Sequence, residues 1–138
     1  MTFPGETRTA VDAARAVGCE LGQIVKSLVF QAGEEPLLFL VSGHNRLDPD
    51  KAAAAANVAT IEKADAAVAK TATGYSIGAT PPFGHASSLR VLMDEDLLAF
   101  DEVWAAAGRP DSVFPIKPEE LARATGATVC SLATVGGI

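Results

Sequence analysis

The chain has 138 residues, is 49% hydrophobic and 20% charged, and carries a formal net charge of -6 from 17 acidic and 11 basic side chains. That length fits one domain, residues 1–138, around one packed core, and the balance is too apolar for a disordered tail. The negative charge repels polyanions at long range, so a role on nucleic acid has to be local or assisted rather than an unaided grip through many phosphates.

The longest purely apolar stretches, such as Leu37 to Val41 and Ala52 to Ala56, fall far short of the ~20 residues of a membrane helix. Met1 to Glu6 lacks the basic start and apolar run of a secretory signal, so a cytoplasmic address without a membrane partner is expected. Cys19 and Cys130 then read as two small core residues rather than a disulfide.

A first helix is predicted from Thr9 as N-cap to Val17, with Gly18 as its stop. Ile24 to Phe30 and Leu37 to Ser42 are predicted strands, and Gly33-Glu34-Glu35-Pro36 between them reads as a hairpin connection. Leu37 to Val41 is apolar at every position, the pattern of a central strand covered on both sides. Asp48-Pro49 is a helix start with Asp48 as cap, and the alanine run carries that helix to Asn57. Val58 to Ile61 reads as a short strand and Lys63 to Thr73 as an alanine-rich helix ended by Gly74. From Gly74 to His85, three glycines and two prolines in twelve residues forbid a regular element. Leu89 to Met93 resumes strand character, and Asp94-Glu95-Asp96 reads as a solvated acidic patch. Glu102 to Ala107 reads as a strand in preference to a short helix, strands are predicted at Ser112 to Ile116 and Ala127 to Leu132, and a helix from Pro118 to Thr125, with a fraying tail through Gly136-Gly137-Ile138. Helices and strands interspersed around a hairpin predict a mixed sheet.

Lys26 is the most informative single residue. Alternation along its strand places it with Ile24, Leu28 and Phe30, while Val25, Ser27 and Val29 share the other face. An ammonium among apolar neighbours costs several kcal/mol unless it faces a cleft, meets a carboxylate or loses its proton. A snorkelling edge lysine explains the same pattern. The Gly74–His85 loop could present rigid main-chain groups to a polar ligand end, although a structural turn has the same composition. It lacks the spacing of either common phosphate loop.

Only His44 and His85 are available as histidines, and there is no His-Glu-x-x-His, Cys-x-x-Cys or Gly-x-Ser-x-Gly. Metal hydrolase, zinc deaminase and serine esterase mechanisms therefore have no support, and no metal or other cofactor is expected. Either histidine could orient a substrate or move a proton near neutral pH. Trp104 and the phenylalanines are spaced like core residues, not like a base-stacking platform.

The strand Ile24-Val25-Lys26-Ser27-Leu28-Val29-Phe30 and the loop Gly74-Tyr75-Ser76-Ile77-Gly78-Ala79-Thr80-Pro81-Pro82-Phe83-Gly84-His85 resemble the YbaK family. So does the ending Asp101-Glu102-Val103-Trp104 through Ala107-Gly108-Arg109-Pro110 and Val113-Phe114 to Pro118-Glu119-Glu120-Leu121. The family includes free-standing aminoacyl-tRNA deacylases and the editing insertion of bacterial prolyl-tRNA synthetases. The resemblance implies an α/β (α+β) fold in which a mixed, partly antiparallel, barrel-like sheet is surrounded by helices. It also implies hydrolysis of the ester joining a wrong, small amino acid to tRNA, most typically proline tRNA.

By the same resemblance Lys26 is the catalytic side chain. The loop residues Ile77, Gly78, Ala79, Thr80, Pro81, Pro82, Phe83, Gly84 and His85 shape the pocket at the terminal adenosine, with Ser27, His44 and Ala106 as further substrate contacts. Ala106 stands where some cysteine-type members carry serine, Ser27 where alanine-type members carry asparagine, and His85 where others carry glutamine or leucine. The implied partners are a mischarged aminoacyl-tRNA and, to help an acidic protein hold it, prolyl-tRNA synthetase or an elongation factor. A non-catalytic module that binds an aminoacyl-tRNA or a synthetase is the alternative of a different class.

Overall fold

The computed structural model of the chain describes residues 10–64, 89–106 and 113–135. Strands β1 (Val25–Ala32) and β2 (Glu35–Ser42) pair antiparallel, from Val25 opposite Ser42 to Ala32 opposite Glu35. Their reversal needs only Gly33 and Glu34. Gly33 takes φ +61°, and Glu34 is not at positive φ. Positive φ at the first of two turn residues is the geometry whose twist matches the flanking strands, and glycine enters it without a Cβ penalty.

β2 organises the rest of the fold. Leu37, Leu38, Phe39, Leu40 and Val41 are all fully buried, which is the two-sided cover that their unbroken apolar run predicts. Leu38 and Leu40 pack with Val25, Met93, Leu97, Val103 and Leu121 on one side, and Leu37, Phe39 and Val41 pack with Leu47, Ala52, Ala56, Leu92 and Leu132 on the other. Each such side chain removed from water contributes roughly 1.5–3 kcal/mol. The central strand therefore anchors two half-cores at once.

The main sheet has the order β4-β1-β2-β5-β8, with β4 at Glu62–Lys63, β5 at Arg90–Asp94 and β8 at Thr128–Cys130. β1 is antiparallel to both neighbours, whereas β2, β5 and β8 run parallel. The predicted mixed sheet is thus present. Two small antiparallel sheets flank it: β3 (Asn45–Leu47) with β9 (Ala133–Val135), and β6 (Val103–Ala106) with β7 (Val113–Ile116). Among the described residues no sheet closes on itself, so the barrel-like closure is not seen.

Helices α1 (Ala10–Val17), α2 (Pro49–Ala56) and α3 (Pro118–Thr125) lie where the capping signals put them. Asp48 accepts hydrogen bonds from the Asp50 and Lys51 amides, satisfying two of the free N–H groups at the start of α2, and Asn57 ends that helix at φ 59°. None of the described helices is long and apolar enough to cross a membrane.

Several expectations need correction. The short strand placed at Val58 to Ile61 lies instead at Glu62–Lys63, where its edge finds β1. Lys63, expected to begin a helix, belongs to that strand; residues 65–73, the rest of the expected helix, lie outside the described residues, as does Thr9. Beyond Leu132 the chain adds β9 against β3. Asp94 is not part of a solvated patch: it is 2% exposed, while Glu95 and Asp96 beside it are exposed. Cys19 and Cys130 are free and partly buried, each packed beside a core cluster.

Candidate active site

Lys26 is the second residue of β1, opposite Val41. Its side chain is half-buried and Nζ donates a hydrogen bond to the Asn45 carbonyl oxygen. Asn45 reaches that position because the chain turns at Gly43 and His44, leaving β2 for β3, with the Gly43 amide donating to the Ile24 carbonyl at 2.7 Å. Burial lowers the Lys26 pKa from the ordinary lysine range, and the Asp94 carboxylate opposes that shift by favouring the charged form.

The Asp94 carboxylate sits at the end of β5, buried and fully engaged. One oxygen accepts from the Ser42 amide at 3.1 Å and the Asn45 Nδ2 at 2.9 Å; the other accepts from the Asp96 amide at 3.0 Å and so caps the 3₁₀ turn Glu95–Ala99. Asn45 Nδ2 also donates to Asp96 Oδ2 at 2.7 Å. A buried carboxylate without such donors would carry a heavy desolvation penalty.

Beside this network lies a cavity of about 350 Å³, lined by Glu20, Leu21, Gly22, Ser42, His44, Asn45, Asp96, Ala99 and Phe100. The Ser42 hydroxyl donates to the Gly22 carbonyl at 2.7 Å, holding the 3₁₀ turn Leu21–Gln23 against the end of β2. Gly22 has no room for a side chain: a Cβ there would lie 2.7 Å from Phe100 Cζ and 3.4 Å from Ser42 Oγ. Gly22→Ala is therefore expected to push the Phe100 ring outward, reshape the cavity wall and cost ~1–3 kcal/mol, the usual range for overpacking. Urea denaturation checks this, and wild-type stability in the variant would show that the ring yields freely.

The other predicted residues divide. Ser27 follows Lys26 but faces the opposite side, and its hydroxyl is buried without a hydrogen-bond partner among the described residues. An unpaired buried hydroxyl is a group that a ligand could satisfy. Ala106 ends β6, which meets β1 through a parallel bridge between Ile24 and Trp104; Lys26 and Ala106 each lie two residues beyond that bridge. His44 is exposed on the turn and lines the cavity. Ile77, Gly78, Ala79, Thr80, Pro81, Pro82, Phe83, Gly84 and His85 lie outside the described residues. Sequence reasoning missed Asn45, Ser42 and the buried role of Asp94. The two thiols are poor nucleophiles, because burial first and neighbouring carboxylates second raise their pKa values. Among the described residues no group of three His, Cys, Asp or Glu side chains could hold a metal ion.

The model of the aminoacyl-tRNA editing domain matches residues 4–124. The chain belongs to the YbaK-type aminoacyl-tRNA editing domain family. It is similar to a solved structure described as a candidate trans-editing enzyme for prolyl-tRNA synthetase, with 47% identity and a TM-score of 0.92 over 97% of this chain and 85% of that one. It is also 30% identical to the uncharacterised YwhH of Bacillus subtilis over 86% of this chain and 76% of that protein. A 25% identical match to the proline–tRNA ligase of Desulforamulus reducens takes in 81% of this chain and 19% of the ligase, so in length the chain corresponds to a part of that enzyme. Within this editing domain, Lys26 and Asp94 lie at the open end of the β1–β2 hairpin and do not line the cavity themselves; Asn45, which bonds to both, is one of its lining residues.

Proposed function

We propose that this editing domain is a trans-editing aminoacyl-tRNA deacylase that hydrolyses the ester of a mischarged tRNA, proline tRNA carrying a small wrong amino acid. The observation that carries this reading is a half-buried lysine held by a backbone carbonyl and countered by a buried carboxylate, in a chain whose described residues offer no activated nucleophile. An aminoacyl ester needs little more. Water attacks the acyl carbon, a C–O bond forms, and the carbonyl oxygen takes up negative charge. The ester C–O bond then breaks, the terminal ribose oxygen leaves with a proton that came from water, and the free amino acid departs. An ammonium placed at the developing oxyanion or the terminal phosphate lowers the barrier without a covalent enzyme intermediate.

Lys26 fills that role as a cation, because phosphate and oxyanion both favour its charged form. Ser27, His44, Ala106 and the loop Ile77–His85 are assigned to substrate contact. Selection by pocket size suits a second sieve, since one methylene is worth only ~1–3 kcal/mol in a single binding step. The net charge of -6 supports delivery of the tRNA by a partner such as prolyl-tRNA synthetase or an elongation factor.

The test is a panel of tRNAs charged with alanine, cysteine, serine, threonine and proline. Release of at least one small amino acid, with prolyl-tRNA spared, is the expected result. A panel left intact, with tight binding of the charged ends, would turn the reading to the non-catalytic module.

A further inference from the structure

The Lys26 amine and the Asp94 carboxylate come to the site from opposite sides of β2, the first on β1 and the second on β5. They are joined through one residue. Asn45 receives the Lys26 ammonium on its backbone oxygen and gives its side-chain amide to Asp94 and Asp96. Asp94 also takes the Ser42 amide, so it ties both ends of the turn that carries His44. A carboxylate that is 2% exposed and bonded in this way fixes the position of the carbonyl that aims the amine.

We propose that Asp94 is a positioning residue for Lys26: it pins the Ser42–Asn45 turn, holds the Asn45 carbonyl against the amine, and presents its negative charge to the amine from the far side of β2. This deepens the deacylase reading and rests on it.

Among the described residues, three titratable groups stand near the amine or the residues that hold it. The Asp94 carboxylate faces it from β5, the exposed Asp96 lies beyond the Asn45 amide on the 3₁₀ turn, and the exposed His44 precedes Asn45. Cys130 of β8 pairs with Asp94 in the sheet and stays protonated, because burial and the carboxylates of Glu95 and Asp94 raise its pKa. Removing the Asp94 charge therefore leaves desolvation of Lys26 less opposed.

Two variants probe the two parts of this role. Asp94→Asn removes the charge and sets an amide NH2 against one of the N–H groups that the carboxylate accepts, and Asn45→Ala keeps the charge but frees the turn. Lys26 is followed by NMR of its side chain in the full chain, against pH, and turnover is measured on proline tRNA charged with alanine. In Asp94→Asn the amine is expected to titrate at lower pH than in wild type, and the alkaline fall in turnover is expected to begin earlier. In Asn45→Ala, kcat is expected to drop about 10-fold while KM changes less than about twofold, as for a misplaced catalytic group.

An unmoved Lys26 titration in a folded Asp94→Asn protein overturns the proposal. Should that variant fail to fold, a wild-type kcat in Asn45→Ala overturns it instead. A wild-type protein that releases no amino acid from any of the charged tRNAs, with the titration still lowered in Asp94→Asn, would sink the deacylase reading and leave the coupling of the two residues standing.

Discussion

Replacing Lys26 by alanine is expected to abolish deacylation, with a loss of about 100- to 1000-fold in kcat, the scale seen when one preorganised oxyanion donor is removed. The fold is expected to survive, because Lys26 lies near one end of β1 and contributes no core side chain of its own; circular dichroism checks that. Lys26→Met is the sharper variant. It keeps an unbranched apolar stem beside Val41 and removes only the charge, so an equal loss assigns the effect to the ammonium rather than to packing.

The pH profile supplies the sign. Burial lowers the Lys26 pKa, and Asp94 offsets part of that shift. If the cation works, turnover corrected for spontaneous hydrolysis holds level on the acid side and falls as pH rises through the lowered pKa. A neutral amine acting as base gives the opposite slope, rising with pH over the same window. Full activity in both substitutions would remove Lys26 from the chemistry.

The second large effect falls on the core. Phe39 is fully buried in the middle of β2, and its ring meets the Phe30 ring edge-on at 5.8 Å and 87°. Phe39→Ala is expected to cost ~3–5 kcal/mol, the sum of lost transfer, a cavity and the aromatic pair. That is a large share of the roughly 5–15 kcal/mol by which a domain is usually stable, and it lowers Tm by roughly 10 °C or more. Urea and thermal unfolding measure both. A loss under about 1 kcal/mol would mean that the two half-cores flanking β2 collapse onto the gap with ease.

Much of the scaffold was readable because its signals are local. The unbroken apolar run Leu37–Val41 announced a strand buried on both faces, and Asp48-Pro49 announced a helix start that the Asp48 carboxylate does cap. The small sheet of β3 and β9 was not readable, since three-residue strands are too short to show a period and their pairing joins residues about ninety positions apart. Lys26 stood out as a charge among apolar neighbours. Its supporting residues did not. Asp94 sits in an acidic triplet whose composition argues for solvent, and only the tertiary arrival of Ser42 and Asn45 makes its burial tolerable. Asn45 contributes through a main-chain oxygen, which no residue type advertises. Ser27 and Ala106 entered as contacts through the resemblance rather than through any pattern of their own, and the Ile77–His85 loop lies outside the described residues.

The division of the site across β2 has a mechanical corollary. The hairpin can form from neighbouring residues alone, but Asp94 reaches the Asn45 that holds the amine only when β5 has docked in parallel on the far side of β2. Assembly of the whole sheet is therefore the condition for the linked set of Lys26, Asn45 and Asp94, and any loosening of the β2–β5 pairing reaches the role proposed for Lys26 before it unravels the hairpin.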